Sequence, residues 1–291
     1  MSETSAAAPN ERRFELPGLT LAAAQWGTAD GLPVLAAHGW LDNAGSFDLL
    51  APLVGGCHLV ALDLAGHGLS SFRSPDASYN IWQDVGDLIE VADQLSWPRF
   101  NLLGHSRGAA ISMLLAATFP ERVDKVVLLE GGVPMIGDAD DAPGILAQAL
   151  SDRRSLRHKS GRVFADRQAA IVERAEGFSK VSREAAAILA RRSLRQVPGG
   201  FQWHADQRLK GSSEIKLTAD QVRAFVARVS APVLMIRAEQ SPFGHWAIYD
   251  EMISRFATIE VVRLPGGHHF HLEGAQVEIA ARMRAFLRVE S

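Results

Sequence analysis

Three stretches of this sequence carry residue types suited to nucleophilic catalysis. Gly104-His105-Ser106-Arg107-Gly108 has the G-x-S-x-G pattern. It directly follows the apolar run Phe100-Asn101-Leu102-Leu103 and opens a helical pattern over residues 109–119. A serine on a tight strand-to-helix turn projects its hydroxyl from the edge of a sheet, and flanking glycines leave room for the bend. The helix N-terminus favours negative charge beside that hydroxyl. A glycine-rich packing turn is the competing reading, and the strand before and helix after Ser106 argue against it.

Acyl transfer also needs N–H donors for the oxyanion. One belongs to the residue after the nucleophile, Arg107, and the other to the loop after an earlier strand. That loop is His38-Gly39-Trp40-Leu41-Asp42-Asn43, which makes the Trp40 backbone N–H the expected donor. The general base belongs on the loop after the last strand. There, Leu264-Pro265-Gly266-Gly267-His268-His269-Phe270-His271-Leu272-Glu273 offers three histidines. Metal binding by this cluster is the rival reading; no Cys or carboxylate pattern beside it supports a closed site, so no metal is expected.

Such residues need a scaffold. Strand patterns cover residues 19–26, 33–38, 58–64, 100–104, 125–130, 232–238 and 258–264. Several are continuous apolar runs, as expected of parallel strands covered on both faces. Helical patterns lie between them, at residues 81–95, 109–119, 246–256 and 275–287. The alternation predicts an α/β fold with a mostly parallel sheet and helices on both faces. It stops over residues 133–217, where helical spacing recurs at 145–150, 168–175 and 183–194. That segment is expected to be a helical insertion overhanging a site at the sheet's carboxyl edge. The expected organisation is a core of residues 11–132 and 218–291, a helical cap of residues 133–217, and a polar, disordered leader at residues 1–10.

Composition narrows the function classes. With 30 Lys+Arg against 33 Asp+Glu the net charge is −3, which argues against nucleic acid as the main partner. The single cysteine, Cys57, excludes an intrachain disulfide; it lies in an apolar stretch and suits packing in a reducing, cytoplasmic setting. No signal peptide and no membrane span is expected.

The chain resembles the α/β-hydrolase superfamily from about residue 13 to residue 289. His38-Gly39-Trp40-Leu41-Asp42-Asn43 with Ser46-Phe47-Asp48 looks like its serine hydrolase-like branch. Asp63-Leu64-Ala65-Gly66-His67-Gly68-Leu69-Ser70 is similar to the superfamily's D-x-x-G-x-G-x-S turn. The resemblance implies His268 as the base, because Gly267-His268-His269-Phe270-His271-Leu272-Glu273 fits a G-H-x-x-H-L-E pattern in that register; His269 and His271 are then packing or hydrogen-bonding residues. One departure concerns the acid. Where many relatives have G-E-x-D, this chain reads Ala238-Glu239-Gln240-Ser241, with serine at the aspartate's place. Glu130, at the end of the fifth strand pattern, is the expected substitute, as in certain haloalkane dehalogenases and coelenterazine luciferases; Glu239 is the alternative. Glu130 follows apolar residues, where a carboxylate is costly to bury without a partner.

The implied activity is hydrolysis of a carboxylic ester by Ser106, His268 and Glu130 through an acyl-enzyme, without a cofactor, on a small-molecule substrate. Rivals are a carbon–carbon bond hydrolase, a thioesterase or an amidase using the same residues, and a ligand receptor built on the same fold. A homo-oligomer is compatible with the sequence. Asp63 and His67 are expected to shape their turn, Asp42 and Asp48 to tie down the oxyanion loop or cap a helix, and Arg107's side chain to form a salt bridge. Trp203 and His204 are candidates for lining the pocket or for packing.

Overall fold

The computed structural model describes residues 8–177, 179–241 and 247–290. The strands are β1 (Asn10–Leu16), β2 (Leu19–Trp26), β3 (Leu32–Ala37), β4 (Cys57–Leu62), β5 (Phe100–His105), β6 (Val123–Leu129), β7 (Val163–Phe164), β8 (Leu194–Val197), β9 (Gly200–Trp203), β10 (Val233–Ala238) and β11 (Ile259–Leu264). The helices are α1 (Ala51–Val54), α2 (Ile81–Gln94), α3 (Arg107–Thr118), α4 (Ala142–Leu156), α5 (Arg167–Glu176), α6 (Arg183–Ser193), α7 (Ala219–Arg228), α8 (Ala247–Ile253) and α9 (Gln276–Leu287). The expected helix at residues 246–256 is α8, and Trp246 lies outside the described residues.

Eight strands form one sheet in the order β1-β2-β4-β3-β5-β6-β10-β11. β1 and β2 run antiparallel at one end, and the strands from β4 to β11 pair in parallel. The apolar runs are continuous because both faces are covered. Leu35, Leu102, Leu128 and Met235 pack on one side with Leu88 of α2, Leu115 of α3 and Val222 of α7. Their neighbours Val34, Leu103, Val127 and Ile236 pack on the other with Phe47, Ile279 and Met283. Cys57 is buried in this second layer, and burial pushes its thiol up to about 11, as a packing residue requires.

β1 was not among the expected strands, and it overlaps the expected leader only at Asn10. Asn10–Arg13 pair with Ala22–Gln25 as the edge of the sheet, with Phe14 buried and the charged residues facing water. Charged side chains on an edge strand prevent further pairing, and they also remove the alternation by which a strand is read.

Between β6 and β10 the chain leaves the sheet and carries α4 to α6 together with a small sheet of order β7-β9-β8, before α7 returns to pack on the main sheet. Those three strands were not anticipated, since they are only two to four residues long and none carries a long apolar run, β9 being half-buried throughout. The insertion rests on the loops after β3 and β4. The Trp40 indole N–H donates to Leu209 O (2.8 Å), Asn43 Nδ2 donates to Leu189 O (2.9 Å) and to Ser193 Oγ (2.7 Å), and Arg192 pairs with Asp63 (2.8 Å). It therefore lies over the carboxyl ends of the parallel strands. Among the described residues no helix is long and apolar enough to cross a membrane.

Candidate active site

Ser106 stands between β5 and α3 with φ 53° and ψ −113°. A non-glycine residue there is strained by roughly 1–3 kcal/mol and persists only where its surroundings hold it. Its N–H donates to Leu129 O (2.9 Å), and its carbonyl accepts from Ala109 (3.0 Å) and Ala110 (3.2 Å). Gly108 is obligatory beside it, because a Cβ there would stand 2.0 Å from the Ala37 carbonyl oxygen. Arg107 is the first residue of α3, and the first N–H groups of a helix have no intrahelical partner. The Arg107 side chain is turned away to Asp84 (2.6 Å), which is the salt bridge anticipated for it.

Glu130 follows β6 in the same left-handed region, at φ 50°. His105 and Leu129 are partners across β5 and β6, so Ser106 and Glu130 leave neighbouring strand ends at one level. The Glu130 N–H donates to Ile236 O (3.0 Å), and its Oε1 accepts from the Ala238 N–H. Only 5% of the residue is exposed. Its Oε2 lies 3.5 Å from Nδ1 of His268, on the loop after β11. The structure thus brings Glu130 and His268 together, while Glu239 is exposed beyond the end of β10.

The loop after β3 is fixed from several sides. Leu41 has φ 59°, and its N–H donates to His67 Nε2 (3.3 Å). The Asp42 N–H closes a turn on Gly39 O (3.2 Å). Asp63 accepts from the N–H groups of Ala44 and Leu69 (2.7 Å each), so Asp63 and His67 shape these turns as expected. Asn43 caps the short helical turn Ala44–Phe47 by accepting from Gly45 (2.9 Å).

His105, His269 and His271 are buried beside His268. His105 donates from Nε2 to the His268 carbonyl (2.9 Å), and His271 Nε2 meets Ser46 Oγ (2.8 Å). Burial, then the neighbouring imidazoles of His271, His268 and His269, holds His105 well below the ordinary histidine value. Burial pushes His271 down to about 3. His269 donates from Nε2 to Asp42 Oδ2 (3.1 Å), and Arg174 donates to Asp42 Oδ1 (2.7 Å). Burial alone would raise the Asp42 carboxyl; His269, Arg174 and His105 overcome it and hold the group well below the usual carboxylate range.

Asp42, His105 and His269 have ligand-type atoms within 4.8 Å of one another. Asp42 supplies the carboxylate that the local sequence around the histidines lacks. Within this group the Asp42 carboxylate is paired with Arg174 and accepts from His269, while Nδ1 of His105 and Nδ1 of His269 are buried without a hydrogen-bond partner.

Comparison with known proteins agrees with this architecture. The chain matches the α/β hydrolase fold family over residues 33–275. It belongs to that family. It is 32% identical to serine hydrolase-like protein 2 of Homo sapiens, over 96% of this chain and 94% of that protein, which places it in the serine hydrolase-like branch. A hypothetical protein of Pseudomonas aeruginosa PAO1 has a solved structure that is 44% identical, with a TM-score of 0.91 over 96% of this chain and 99% of that one. The thioesterase domain from the curacin biosynthetic pathway superposes with a TM-score of 0.84 at 23% identity, covering 96% of this chain and 100% of that one, a likeness of fold.

Within this α/β hydrolase, two expectations about the insertion resolve to packing. The Trp203 ring lies among Phe164, Ala170, Ala190 and Leu194, with its N–H on Ala170 O (3.3 Å). His204 stacks on Phe72 (4.8 Å between centroids) and meets the Gly68 carbonyl. Sequence reading missed Arg174 entirely. Arg174 and His269 lie 132 and 227 residues from Asp42, so no local pattern joins them.

Proposed function

We propose that this α/β hydrolase is a carboxylesterase that uses Ser106, His268 and Glu130 through an acyl-enzyme. The observation that carries the reading is the buried Glu130 carboxylate 3.5 Å from His268 Nδ1, on the strand end beside the Ser106 turn. A base needs an acceptor on its second nitrogen to select the productive tautomer and to stabilise the imidazolium. With Nδ1 facing Glu130, Nε2 is the nitrogen left for the Ser106 hydroxyl. His268 then takes the proton as Ser106 Oγ attacks the ester carbonyl. The N–H groups of Trp40 and Arg107 receive the oxyanion. Collapse expels the alcohol, which takes the proton from His268. Water, deprotonated by His268, attacks the acyl-enzyme and restores Ser106.

Residues 11–132 and 218–291 form the proposed catalytic core, and residues 133–217 the cap that sets acyl-chain preference. The substrate class is an ester of a small or medium, mainly apolar acid. A second reading, thioester hydrolysis by the same residues, is favoured by the likeness to a thioesterase domain. A series of p-nitrophenyl esters of increasing acyl length, with thioester and amide analogues, tests both. Turnover of the oxygen esters with the highest kcat/KM is expected. Thioester kcat/KM exceeding every oxygen ester by tenfold or more would move the assignment to the second reading.

A further inference from the structure

The three reacting parts of the proposed site share one buried carboxylate through their chain neighbours. Asp42 is two residues beyond Trp40, His105 precedes Ser106, and His269 follows His268. Asp42 Oδ2 accepts from His269 Nε2 at 3.1 Å and lies 3.7 Å from His105 Nδ1. His105 in turn donates from its other nitrogen to the His268 carbonyl at 2.9 Å. The oxyanion loop, the nucleophile turn and the base loop therefore meet at one buried side chain, to which the base loop is hydrogen-bonded through His269 and which His105 approaches without a hydrogen bond.

The cation on that carboxylate comes from the insertion. Arg174 is on α5 and donates to Asp42 Oδ1 at 2.7 Å; its other terminal nitrogen donates to Ser179 O at 2.8 Å, so the guanidinium is anchored within the insertion. A carboxylate buried this deeply keeps its charge only while it is paired and hydrogen-bonded. Removing Arg174 leaves His269 as its remaining hydrogen-bond donor among the side chains described here.

We infer that Arg174 and Asp42 are positioning residues through which the cap sets the catalytic geometry, so that seating of α5 aligns the oxyanion loop with His268. The inference rests on the proposed catalytic roles of Ser106 and His268. A displacement of about 1 Å in such an assembly lowers turnover by up to about 10²-fold.

The test uses the full chain carrying Arg174→Met or Arg174→Lys. The rates measured are kcat and KM for p-nitrophenyl acetate, whose acyl group is the smallest of the series, and phosphonylation by a small fluorophosphonate, each per folded molecule by circular dichroism. Amide hydrogen exchange is followed over residues 38–43 and 265–273. Arg174→Met is expected to lower kcat and the labelling rate by the same factor, on the order of 10- to 100-fold. KM should stay within about twofold, and exchange should rise in both loops while the rest of the sheet is unchanged; Arg174→Lys should recover part of each. An unchanged labelling rate with a shifted KM for long-chain esters would make Arg174 a substrate contact and overturn the inference. Unchanged exchange in both loops would overturn it as well, whether or not Ser106 proves to be the nucleophile. Wild-type protein that is not labelled at Ser106 would defeat the catalytic reading by itself.

Discussion

Replacing Glu130 with glutamine changes one atom of the site and leaves its shape. One Glu130 oxygen accepts from the Ala238 N–H, and a glutamine carbonyl can keep that bond. The amide nitrogen must then occupy the position 3.5 Å from His268 Nδ1, where Oε2 stood. It donates, so Nδ1 must accept, and the ring proton moves to Nε2. That nitrogen can no longer take the Ser106 proton, and the imidazolium loses its counter-charge. Loss of a triad acid with the geometry kept lowers kcat by roughly 10⁴-fold, about 5.4 kcal/mol of transition-state stabilisation. KM should be unchanged, because Glu130 is buried behind His268. Glu239→Gln, at an exposed position, should cost less than about tenfold. The assay is kcat and KM on a p-nitrophenyl ester for both variants, with the fold checked by circular dichroism. A Glu130→Gln enzyme retaining more than about a tenth of wild-type kcat, or the reverse ranking of the two, would refute the reasoning.

Three further outcomes follow from the same contacts. His271 is held neutral to about pH 3 in the folded chain against an ordinary 6.5, so the unfolded chain binds the extra proton first. Its contribution to stability is complete above pH 6.5 and is lost as pH falls toward 3; His271→Asn should flatten that part of a plot of Tm against pH, and an unaltered slope would contradict this. Asp48 has the opposite sign: burial raises its carboxyl to about 6, so the folded state gains from its proton at low pH and loses that gain between about 3.8 and 6. Asp48→Asn should therefore raise Tm at pH 7 and change it little at pH 4, and a lower Tm at pH 7 would mean that pairing with the nearby arginines outweighs burial. Gly108→Ala would drive a Cβ into the Ala37 carbonyl, and denaturant unfolding should show a loss of at least about 2 kcal/mol; wild-type stability would mean that α3 can move off the sheet freely.

What was legible in the sequence were the parts whose cause is local. The apolar runs of β3, β5, β6 and β10 announce strands covered on both faces, and the packing of Leu35, Leu102 and Met235 opposite Val34, Leu103 and Ile236 is that cause. Ser106 was legible because a strand, two glycines and a helix surround it within a few residues. Glu130 was legible as a charge placed at the end of an apolar run, and it is buried. β1 was not, because a charged edge strand with one well-buried apolar residue has no pattern to read. The strands of the insertion failed for a related reason, being short and half-exposed. The Arg174–Asp42–His269 group could not be found at all, since its members meet only once the insertion has closed on the core.

The most direct measurement of the central claim is mass-spectrometric mapping of a fluorophosphonate adduct on the folded chain. Wild-type protein should carry one adduct per chain, on the peptide containing Ser106. Ser106→Ala should carry none and lose ester turnover by several orders of magnitude, on the order of 10⁶-fold. His268→Ala should be labelled far more slowly than wild type, since Oγ would then lack its base. An adduct on another residue, or near-normal turnover by folded Ser106→Ala, would contradict the assignment of Ser106 as nucleophile.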